Sequence, residues 1–139
     1  TALRNDLAAR ADALEGIAAG IAARAPETVA AYRERLRASV EELLQGHMDE
    51  ARLVQETAIY ADRAAIDEEL VRLKSHIAQL RALIAEEAPA GRRLDFLAQE
   101  FNREVNTIAS KSQDIEITRL AMDGKAEIEK LREQVQNVE

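Results

Sequence analysis

The chain has no cysteine and no tryptophan, and only two phenylalanines and two tyrosines among its 139 residues. Without Cys there can be no disulfide, thiolate metal site or cysteine nucleophile, a composition that suits a reducing cytoplasm. So few rings leave little surface on which nucleobases could stack. Two prolines and five glycines offer few turns, and with an Ala-rich, charged composition the chain reads as all-α, one domain's worth of residues. Long apolar runs are also missing. The best, GIAAGIAA at residues 16–23, is flanked by Asp12, Glu15 and Arg24 and falls short of the roughly 20 residues that span a bilayer. No signal or transit pattern opens the chain. Basic charge is in deficit, 19 Lys and Arg against 26 Asp and Glu for a net −7. Such a surface does not grip nucleic acid unaided, because phosphate binding draws on cations. An acidic surface can still meet phosphate indirectly, through cations that its carboxylates hold.

What is present is helical periodicity. Leu3, Leu7, Leu14, Ile17 and Ile21 mark a first helix expected to end near Ala25, where Pro26 breaks it and starts a second, running to about Leu44 on Val29, Tyr32, Leu36, Val40 and Leu43. Gly16 and Gly20 would permit a close helix approach. Arg33, Arg35 and Arg37 on the outer face read either as a solvated surface paired with Glu34 and Glu41 or as an RNA-contacting patch. A turn is expected at residues 45–47, with no role for His47. A third pattern, residues 49–87, carries Ile59, Ile66, Leu70, Leu73, Ile77, Leu80 and Ile84 at heptad spacing, with a kink allowed near Asp67. APAG at residues 88–91 reads as a loop. The fourth pattern, residues 92–139, admits an interruption around residues 110–114 and ends on Ile128, Leu131, Val135 and Val138. The expected architecture is a bundle or hairpin of long antiparallel helices.

The fourth pattern carries the chemistry. Leu94, Leu97, Phe101, Val105 and Ile108 form its apolar stripe, and Glu100, Glu104, Thr107 and Lys111 run directly beside it. Scored as heptads with Leu94 and Phe101 at a, Glu104 and Lys111 fall on inward-facing d positions. Charge placed there must be satisfied by its own charged neighbours, another helix, a metal or a substrate. On the third pattern Glu69, Arg72 and His76 follow one another at i, i+3 and i+7 beside the Leu70, Leu73 and Ile77 seam. If the two edges face each other, three carboxylates and one imidazole converge, a donor set suited to Mg²⁺ or Mn²⁺ rather than Zn²⁺. The same residues also read as a structural network, with Arg72, Arg103 and Lys111 as salt-bridge partners of the glutamates and His76 as a packing residue.

The run GRRLDFLAQEFNREVNTIASKSQDIEI, the closing REQVQNVE and the upstream QETAIYADRAAIDEELVRLKSHI resemble the C-terminal region of the YicC/YloC family of bacterial proteins. Residues before about 45 resemble it only loosely. Members of that family are described as metal-dependent endoribonucleases. The resemblance therefore implies an N-terminal domain outside this chain, which begins at Thr1. It also implies an RNA substrate with cleavage in single-stranded regions, and assembly as a homo-oligomer, a hexamer. Carried onto EExxRLxSH and QExxREvNTIxSK, it implies Glu69, His76, Glu100 and Glu104 as catalytic and metal-holding residues. Arg72, Arg103, Asn106 and Lys111 become substrate contacts. The rival expectation is a non-enzymatic helical assembly module, with interhelical salt bridges setting its register.

Overall fold

A computed structural model describes residues 2–45, 49–86 and 91–136. Among them every element is a helix: α1 Ala2–Leu44, α2 Glu50–Arg63, α3 Asp67–Ala85, α4 Gly91–Lys111 and α5 Ile115–Val135. His47, Val138 and most of the expected loop at residues 88–91 lie outside the described residues. The all-α expectation holds, and the boundaries differ in one place that matters.

The expected break at Pro26 does not occur, because α1 continues through it for 43 residues, a rod of about 65 Å at 1.5 Å per residue. A proline inside a helix removes one backbone hydrogen bond, at a cost of about 3 kcal/mol. Here Pro26 and Ala22 are exposed, so the carbonyl that loses its donor meets water. Strong helix formers flank the site, and Thr28 Oγ1 donates to the Ala25 carbonyl at 2.7 Å. Gly16 is equally isolated: a Cβ there would meet nothing within 4 Å, whereas one at Gly20 would press on Leu120 at 3.3 Å. Only Gly20 marks a close approach. Gly16→Ala is expected to raise stability by about 0.5–1 kcal/mol in urea melts, by helix propensity alone.

The third pattern divides at Ala64 to Ile66. Ile66 turns into the core at 2 % exposure, and Asp67, Glu68 and Glu69 supply the acidic first turn that a helix N-terminus favours. α2 folds back along the outer half of α1, where Tyr60 stacks on Tyr32 with centroids 4.0 Å apart and Arg37 pairs with Glu50 at 2.9 Å. This two-helix arm is thinly covered. Ile59, expected on a buried seam, is 39 % exposed, and Leu43 and Val54 are more so.

The first half of α1 joins α3, α4 and α5 in an up-down-up-down bundle, each helix packed on two neighbours. Leu7, Leu14 and Ile21 from α1, Leu73, Ile77 and Leu80 from α3, Leu94, Phe101 and Ile108 from α4, and Ile117, Ile128 and Leu131 from α5 fill the core. No described helix is long and apolar enough to cross a membrane.

Between α4 and α5 the interruption falls at Ser112 to Asp114. Asp114 caps α5 by accepting from the Ile117 backbone N–H at 3.0 Å, and both its oxygens accept from Arg24 of α1 at 2.9 and 3.0 Å. The Arg24 hydrogen bond holds the Asp114 carboxyl below its ordinary value against the opposing effect of burial. A carboxyl depressed in the folded state stabilises fully above its unfolded value and loses that contribution as pH falls through the folded one. Stability is therefore expected to decline below about pH 4. Asp114→Ala should remove about 1 kcal/mol at pH 7 through the lost cap, and its melting curves should be less sensitive to acid than the parent's.

Candidate functional site

Antiparallel pairing of α3 and α4 sets the site. Each helix carries polar residues along the edge of its apolar stripe, and the pairing lays the two edges side by side. Arg72 Nε donates to both oxygens of Glu104, at 3.1 and 3.0 Å, and Glu104 is only 3 % exposed. Lys111 Nζ donates to Glu69 Oε1 at 2.8 Å and to the Ala65 carbonyl at 3.3 Å. Arg72 Nη2 approaches the same Glu69 oxygen at 3.4 Å. Burial pushes the Glu69 carboxyl up, but the Lys111 hydrogen bond, a backbone hydrogen bond and the charges of Lys111 and Arg72 together carry it below its ordinary value. Glu69 is thus an anion matched by two cations, although its Oε2 is buried without a partner.

One turn along α3, the balance changes. His76 Nε2 lies 4.0 Å from Glu100 Oε2, too long for a hydrogen bond. Both ring nitrogens are buried with no hydrogen-bond partner, and the ring meets Phe101 edge to face, with centroids 5.9 Å apart. Buried polar nitrogens are normally paired. Glu104, Glu100 and His76 each offer a ligand atom within 4.8 Å of the others. An unsatisfied imidazole facing two carboxylates is a donor set that could hold a divalent cation, with oxygen-rich chemistry of the kind that suits Mg²⁺ or Mn²⁺.

The residues anticipated from sequence therefore separate into groups. His76, Glu100 and Glu104 come together. Glu69 stands outside that group, its Oε1 taken by Lys111. Arg72 and Lys111, expected as substrate contacts, are engaged by Glu104 and Glu69. Arg103 and Asn106 lie on the exposed face of α4, Arg103 one turn beyond Glu100. Phe101 was legible only as a core residue, and no spacing rule announces the ring edge it turns to His76.

The fold and site define an all-α bundle with an acid–imidazole cluster on one interhelical seam. Residues 21–139 match the family model described as "Endoribonuclease YicC-like, C-terminal". The chain is 50 % identical over 139 residues to a protein of Clostridioides difficile (strain 630) named probable endoribonuclease YicC, covering 99 % of this chain and 47 % of that protein. A protein of the same name from Haemophilus influenzae is 41 % identical over 114 residues, 82 % of this chain and 39 % of its own length. The chain belongs to the YicC-like endoribonuclease family, and it spans less than half the length of these relatives.

Proposed function

We propose that this chain forms the metal-holding C-terminal portion of an endoribonuclease that cleaves single-stranded regions of RNA and works as a homo-oligomer. The observation that carries the reading is the pair of unpartnered, buried nitrogens of His76 beside Glu100 and Glu104. The names of relatives support RNA as the substrate class, and the closeness of these three side chains supports the metal. A divalent ion held by His76, Glu100 and Glu104 would concentrate positive charge beside a phosphodiester.

The chain's own residues do the rest. Arg72, bound to both Glu104 oxygens, holds that carboxylate in place beside the cluster. Lys111 fixes Glu69, and Glu69 in turn holds Arg72, so a row of alternating charges runs from the end of α4 to Glu104. These three are positioning residues. Arg103, exposed and one turn from Glu100, is free to meet a phosphate, with Asn106 beyond it. His76 Nε2 faces Glu100 at 4.0 Å, and its two buried, unpartnered nitrogens suit the imidazole to a ligand role.

A second reading has its own support. The Arg72–Glu104 and Lys111–Glu69 bonds tie α3 to α4 as a register device would, which on its own describes an assembly module. The two readings part over metal. Under the nuclease reading, Mn²⁺ raises the melting temperature through its bound-state free energy, and the full-length protein cleaves a labelled RNA in Mn²⁺ but not in EDTA. A flat melting response together with intact RNA would sink the nuclease reading and leave the module.

A further inference from the structure

We propose that the open cavity between α3 and α4 beside Phe96 receives an unpaired nucleobase of the RNA. This inference rests on the nuclease reading above and extends it to a substrate subsite. The cavity measures about 300 Å³, and Gln79, Leu83, Arg92, Arg93, Phe96 and Leu97 are among the residues that line it. Phe96 precedes Glu100 by four residues and Gln79 follows His76 by three. On both helices the cavity therefore sits about 4.5–6 Å along the axis from the acid–imidazole cluster.

Phe96 is 59 % exposed, while the core face of α4 is complete without it. Its ring supplies a face for stacking, and the Gln79 amide offers a donor and an acceptor to a base edge. Arg92 and Arg93 stand in the first turn of α4, which holds no acidic residue. The helix dipole disfavours cations there, so this end of α4 is doubly positive, although Arg93 shares its charge with Glu86 at 3.2 Å. Further along the outward face follow Gln99, Arg103 and Asn106, all exposed. On a chain of net charge −7 this strip carries guanidinium, amide and ring, with one carboxylate, Asp95, at its edge accepting from Gln99 Nε2 at 3.1 Å, a combination that suits single-stranded RNA. A protein partner would call for a wider apolar patch than one ring.

The test measures binding of a fluorescein-labelled, unstructured RNA of about 12 nucleotides to the full-length protein in EDTA, by anisotropy. Phe96→Ala should weaken binding about 10- to 100-fold. Phe96→Tyr should stay within about 3-fold of the parent, and Phe96→Leu, apolar but without a π face, should fall with alanine. On an RNA of abasic sites, the parent and Phe96→Ala should bind alike. Parent-like affinity in Phe96→Ala or Phe96→Leu would overturn the subsite. So would a changed sedimentation coefficient in Phe96→Ala with RNA affinity retained, which assigns the ring to a protein contact. Because binding is read without metal, the two readings fail separately. Mn²⁺-dependent cleavage with Phe96-independent binding removes only the subsite, and Phe96-dependent binding without any Mn²⁺ response removes only the metal centre.

Discussion

Phe101→Ala is expected to cost about 3–5 kcal/mol, read as a lower urea midpoint at unchanged slope. Phe101 has no exposed surface and lies in the middle of α4 among the buried residues of all four bundle helices. Its removal leaves a cavity that Leu, Ile and Val neighbours held on rigid helices fill only in part. Against a typical total of about 5–15 kcal/mol, that is about a fifth of the stability or more. The substitution also removes the ring edge against His76 from between the neighbouring turns that carry Glu100 and Glu104. Phe101→Leu separates the two effects. Most of the apolar volume returns and the cost falls to about 1 kcal/mol, but the imidazole loses its wall, so the Mn²⁺-induced rise in melting temperature should still shrink. A leucine variant with a parent-like Mn²⁺ response would show that the ring fills space and does not orient His76.

The helices were legible because their apolar residues recur at 3.6-residue spacing, a signal that lies within each segment. Asp67, a good helix-start residue, and the polar run at residues 110–114 marked two of the interruptions by similarly local chemistry. Pro26 misled because its ring was weighed without its surroundings. It falls on the exposed side of a helix whose two halves are held by different partners, the bundle on one side and α2 on the other, and that arrangement is tertiary.

The site divides along the same line. Periodicity placed Glu69, Arg72 and His76 on one edge of α3 and Glu100, Glu104 and Lys111 on one edge of α4. Which residue meets which depends on the register of two antiparallel helices, and no short stretch encodes that. One turn of sliding would bring Glu69 toward Glu104 and free Lys111. In the register observed, Lys111 meets Glu69 and the carboxylate opposite His76 is Glu100. Charge alternation enforces this choice, because a slid register would leave buried carboxylates facing each other. The positioning row and the cluster therefore belong to one device: the bonds that fix register also deliver His76, Glu100 and Glu104 to the same place.

Glu100→Gln should abolish the Mn²⁺ response and lower RNA cleavage by the full-length protein by about 100-fold or more, since removing even an outer-shell partner of a metal ligand typically costs 10- to 100-fold. Its metal-free stability should stay within about 0.5 kcal/mol of the parent, because Glu100 is partly exposed, His76 Nε2 is 4.0 Å away and beyond hydrogen-bond reach, and the nearby Glu104, within 4.8 Å, is a carboxylate that Glu100 does not stabilise. Glu104→Gln differs instructively. It should lose the Mn²⁺ response and the cleavage alike, but it also gives up the charge-assisted bonds from Arg72, so its metal-free stability should drop by about 1–2 kcal/mol. Gln keeps the shape and one acceptor oxygen, which guards against a cavity as the cause. The contrast gives the pair its force: two losses of activity equal in size, one with stability intact and one without, are what a shared ligand role predicts. An assembly module predicts that function follows stability, with Glu100→Gln silent and Glu104→Gln impaired. If Glu100→Gln cleaves RNA as fast as an EDTA-sensitive parent, the ion lies elsewhere and the cluster on the α3/α4 seam is structural.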